Sequence, residues 1–131
     1  MKLGLEHIED YTQDLSWMLK ALVQLEKEFV LEQWTFKIPV NPETAFQQIV
    51  EALHPKLDEL IRLRGASFTK QLLYKIDLSE SQVAKANSLA QDVEFSEVLA
   101  KLILKRCLQK VLIRNYYKAH EKGILDEGLG R

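Results

Sequence analysis

The segment KLILKRCLQKVLIRNYYKAH, from Lys101 to His120, limits the choice of fold more than any other part of the chain. Projected at 100° per residue, Leu102, Ile103, Leu104, Cys107, Leu108, Val111, Leu112, Ile113, Tyr116 and Tyr117 occupy most of a helix's circumference. Such a helix has to be contacted on more than one side, so it predicts a central element with other helices around it. A helix lying on a membrane surface would instead show one clean apolar face and one charged face. What remains for water is a drifting i, i+4 stripe of Arg106, Lys110, Arg114 and Lys118, whose stems can lie over apolar neighbours while their charged ends stay solvated. The helix is predicted from about Phe95 to Lys122 and ends at Gly123. The remaining residues, 123–131, are expected to form a frayed or weakly docked tail.

A partner for this strut is legible near the other end of the chain. Ile8, Tyr11, Leu15, Met18, Leu22, Leu25 and Phe29 follow alternating spacings of three and four, a heptad-like seam widened by Leu19, Val23 and Val30. The spacing predicts one helix over about residues 6–33. Its outer face is read as Glu9, Asp10, Gln13, Asp14, Lys20, Gln24, Lys27 and Glu28, with Trp17 among them and off the seam. Pro39 and Pro42 then impose an extended connector. Asn41, Pro42 and Glu43 read as the cap and first turn of a second helix, through Phe46, Ile49, Val50 and Leu53. Pro55 predicts a kink or break at His54, and Gly65 a helix end. A short helix from Ser67 through Ile76 follows. Next comes the clearest local signal: Ser79 with Gln82 as a capping box, and Leu78 with Val83 as its hydrophobic staple. They open a helix over about residues 80–91.

A single all-α domain covering residues 1–131 follows, a compact bundle of four to six helices with long first and last members. The 131 residues suffice to bury roughly two thirds of the unfolded surface without disulfides or metals. At 47% hydrophobic and 28% charged, with 5 Gly and 3 Pro, the composition suits a helical globule. The start lacks a signal-peptide h-region and no apolar run reaches membrane-span length, so a cytoplasmic protein is expected. Cys107, the single cysteine, excludes an internal disulfide and reads as a small buried hydrophobe.

The charge is uneven. Residues 1–60 hold 11 acidic and 5 basic residues, a net of −6, and residues 61–131 hold 8 and 13, a net of +5. Acidic and basic helices lying side by side account for this better than a nucleic-acid surface does, since the pI is only about 6.3.

No catalytic signature is present: no GxSxG elbow, Walker loop or GxGxxG fingerprint. Glu51 and His54 make one Glu-x-x-His spacing without the second pair that di-metal bundles use, and neither His7 nor His120 completes it, so no metal or cofactor is expected. LLYKIDLSESQVAKA, residues 72–86, places a short helix, a tight turn and a capped helix in succession. It resembles a helix-turn-helix DNA-binding unit, which would turn Ser81, Gln82, Lys85 and Asn87 toward the major groove. Leu73 and Asp77 depart from that pattern, standing where a small residue and a glycine are usual.

The function expected from these residues is a small non-catalytic intracellular interaction or regulatory module that self-associates. Trp17 is the candidate for protein contact, as a large aromatic on a polar face, and Arg106, Lys110 and Arg114 for an acidic partner. The alternatives are DNA binding through residues 72–87, and an enzyme or small-ligand binder with a pocket that one sequence does not reveal.

Overall fold

The computed structural model describes residues 5–128, with side chains for residues 8–119. Four α-helices, α1 (Leu15–Glu28), α2 (Ala45–Ile76), α3 (Glu80–Leu89) and α4 (Phe95–Gly128), form an all-helical bundle, with short 3-10 turns at Leu5–Asp10 and Val30–Glu32. Among the described residues there is no strand, and no helix is long and apolar enough to cross a membrane. α4 is the central strut: it packs on α1, α2, α3 and the first 3-10 turn. Leu99, Ala100, Ile103, Leu104, Cys107 and Leu108 are fully buried.

The seam near the N-terminus forms one continuous core stripe, with Ile8, Met18, Leu22, Leu25 and Phe29 buried. It does not belong to one uninterrupted helix. Asp14 is extended at φ −105°, ψ 112°, and its side chain accepts the Trp17 N–H at 3.1 Å, capping α1. Thr12 bonds back to the Glu9 carbonyl at 2.8 Å. Short polar side chains thus offer the backbone local bonds that compete with helix continuation. Val23 and Val30, read as widening the seam, are mostly exposed. Gln24 and Glu28, read as outer-face residues, are buried.

The connector docks on the bundle through Phe36 and Pro39, with the Phe36 N–H on Glu26 Oε2 at 3.2 Å. Asn41 accepts the Glu43 N–H at 2.9 Å, as a cap would, but regular helix begins only at Ala45. The two expected interruptions of α2 fare differently. The helix runs through Pro55, because Leu53 and Leu57 on either side are fully buried and their packing outweighs the lost backbone bond. At Gly65 the backbone leaves helical space, with φ 80° and ψ −171°, a region open only to glycine. The second arm ends at Asp77, which takes the left-handed conformation at φ 70°.

Ser79 caps α3 by the expected reciprocal bonds: its Oγ accepts the Gln82 N–H at 3.1 Å and its own N–H goes to Gln82 Oε1 at 2.9 Å. Leu78 and Val83 are both buried, as a staple requires. Val83 is also the one buried residue within α3, so this short helix is lightly anchored. α4 continues past Gly123 to Gly128. The docking of the tail concerns side chains outside the described residues.

Candidate functional site

The basic stripe of α4 faces α1 and the end of α2. Lys110 Nζ donates to Glu28 Oε1 at 2.7 Å, and Gln24 Nε2 reaches the same oxygen at 2.8 Å. Arg114 Nη2 bonds Gln24 Oε1 at 2.8 Å, so a polar chain runs Arg114, Gln24, Glu28, Lys110 between α4 and α1. Lys75 Nζ, from α2, donates to the Glu28 backbone carbonyl. Arg106 bonds Asp77 Oδ2 at 2.6 Å and Gln109 Oε1 at 2.7 Å. Lys105 pairs with Glu9 at 2.6 Å. The Lys110–Glu28 and Lys105–Glu9 pairs thus join the basic half of the chain to the acidic half. Arg106, Lys110 and Arg114, the candidates for an acidic partner, each have an intramolecular acceptor.

The Lys110–Glu28 pair is the shielded part of this network. The Glu28 side chain is 9% exposed and that of Lys110 is 20% exposed, so their attraction is screened less than that of a surface pair. Cys107 lies beside it. Burial, reinforced by the Glu28 carboxylate and opposed by Lys110 and Arg106, pushes its thiol up to about 12. At neutral pH the group is a protonated thiol and not a nucleophile.

Trp17 is half-buried. Its ring meets Tyr11 edge-on at 5.8 Å, and Lys20 Nζ sits 4.5 Å from its centroid. Tyr11, three residues before Asp14, folds over it because the chain turns at the α1 cap.

The residues of the helix-turn-helix resemblance do not share one outward face. Gln82 is engaged in the capping box, and Ser81 Oγ lies 3.1 Å from Ser79 Oγ. Gln82 and Lys85 line a cleft of about 400 Å³ against α4, whereas Asn87 lines a second cleft, of about 470 Å³, against α2. Glu51 accepts from Gln47 at 3.2 Å, and His54 Nδ1 is buried without a partner among the described residues. No group of three or more His, Cys, Asp or Glu side chains is placed to hold a metal among the described residues.

Two exposed leucines that sequence reasoning did not single out stand next to an ion pair between the 3-10 turn after α1 and the middle of α2. Leu31 is 86% exposed and Leu63 76% exposed. They flank the Arg64–Glu32 ion pair, whose N–O distance is 3.4 Å. Leu31 shares a cleft with Arg64 and Phe68, and Leu63 one with Glu32 and Trp34. Trp34 stacks on Phe29 at 4.7 Å, and Arg64 covers Phe68 at 5.2 Å. The available signal was Leu31 standing off the heptad seam and Leu63 standing between two arginines. Comparison with protein-family models, curated proteins and solved structures gave no match to any of them.

Proposed function

We propose that the protein is a non-catalytic cytoplasmic interaction module that self-associates through the patch around Leu31 and Leu63. The observation that carries this reading is the pair of leucines left almost fully in water beside two half-buried aromatics. Scattered apolar residues are ordinary on a surface, whereas a group of them framed by charge marks a contact site. The central charges also suit a second copy. Arg64 and Glu32 provide both signs within one patch, so a twofold axis would set each against its opposite.

In this reading Arg106, Lys110 and Arg114 hold the scaffold, and Trp17 completes the core edge with Tyr11. DNA recognition draws less support, because Gln82 is already bonded within its own helix turn. Sedimentation equilibrium tests the proposal. The wild type is expected to show a concentration-dependent dimer, and Leu31→Ser combined with Leu63→Ser a monomer with an unchanged circular dichroism spectrum. A wild type that stays monomeric up to high concentration would overturn it.

A further inference from the structure

The cleft between α3 and α4 combines features that no part of the interaction reading uses. Its apolar floor is formed by Ile8, Leu78, Ala86 and Leu102, and its volume of about 400 Å³ lies at the small end of the range for ligand sites. Three cations, Lys85, Lys105 and Arg106, line the same space, and no carboxylate is among the described lining residues. Two of them have carboxylate partners outside the cleft lining, Glu9 for Lys105 and Asp77 for Arg106. Lys85 has no ion-pair partner among the described residues. Arg106 spends Nη1 on Gln109 and Nη2 on Asp77, which leaves its buried Nε–H without an acceptor.

We propose that this cleft binds a free single-chain fatty carboxylate, with the acyl chain on the Ile8–Leu78–Ala86–Leu102 floor and the carboxylate at Lys85. An apolar floor with a rim of one sign selects an amphiphile over a fully polar anion. The volume suits one acyl chain and not a two-chain lipid. Lys85 is the anchoring group, an adjustable point charge at the cleft edge, whereas Arg106 is held by Asp77 and Gln109 and forms part of the wall. The light anchoring of α3, through Val83 alone, lets the cleft wall adjust around a chain.

Isothermal titration of the full chain with laurate, kept below its micelle concentration at pH 8, tests the assignment. Saturable one-site binding is expected, weakened about tenfold or more by Lys85→Glu, which loses a charge-assisted contact and adds repulsion. Lys85 is exposed on α3, so this variant keeps the fold. Ala86→Phe, which fills the floor, should also abolish binding while the helical spectrum is retained. Acetate, a head without a chain, and dodecyltrimethylammonium, a chain with the opposite charge, should not bind. The proposal is overturned if laurate does not saturate, if both variants bind it as the wild type does, or if the cationic surfactant binds equally well. Binding of an acidic amphipathic peptide in place of laurate would also overturn it and assign the cleft to a protein partner.

Discussion

Glu28 is the residue on which three helices converge. Its carboxylate receives Gln24 and Lys110, and its backbone carbonyl receives Lys75. Removing it would leave Lys110 without its acceptor in a largely desolvated place. Glu28→Ala should therefore cost about 3 kcal/mol in urea unfolding. Glu28→Gln, which keeps an acceptor, should cost less. Cys107 offers a prediction with a defined pH window. The thiol ionises at its ordinary value of 9.0 in the unfolded chain and at about 12 in the fold. Between these values the unfolded state releases a proton that the folded state keeps, so stability should fall as pH rises above about 9 and be unaffected below it. Cys107→Ser should remove that alkaline slope and, by burying a hydroxyl, cost about 1 to 3 kcal/mol. A wild-type stability that is flat from pH 8 to pH 11 would contradict the burial. The core character of Cys107 was legible from its neighbours on the helical wheel. The depth of Glu28 was not, since it lies at the charged edge of its own helix and its acceptor role depends on a lysine 82 residues away.

Among the elements, those specified by local chemistry were the ones legible in sequence. The α3 capping box and staple occupy adjacent residues and needed no tertiary information. The interruption at Gly65 was likewise legible, and a side chain there would meet open space but an unfavourable backbone. Gly65→Ala should destabilise the protein by about 1 to 3 kcal/mol, read as a lowered urea midpoint. An unchanged midpoint would mean that the second arm of α2 can straighten at no cost. Pro55 and Asp14 show where local signals mislead, in opposite directions. Around Pro55 the core burial of Leu53 and Leu57 holds a helix that the proline alone would break. At Asp14 an apolar period running straight through gave no sign of the cap, because the 3-10 turn before it keeps Ile8 on the same buried stripe.

At the scale of the molecule, α4 organises everything else. Its apolar circumference correctly announced a helix surrounded by others, and the opposite charges of the two halves anticipated helices paired side by side. Which acidic group meets which cation was beyond the sequence, because the contacts of Arg106, Lys110 and Arg114 span 29, 82 and 90 residues. The same long spans hid the Leu31–Leu63 patch, whose two leucines come from different elements and are joined in space by the Glu32–Arg64 pair. A helix that carries six cations and no acid over eighteen residues thus uses its basic edge to fasten α1 and α2. Urea unfolding of the triple variant Arg106→Gln, Lys110→Gln, Arg114→Gln tests this most directly. A loss of about 3 kcal/mol or more is predicted, from charged hydrogen bonds removed and a buried carboxylate left unpaired. Stability within about 0.5 kcal/mol of the wild type, the range of ordinary surface substitutions, would contradict it.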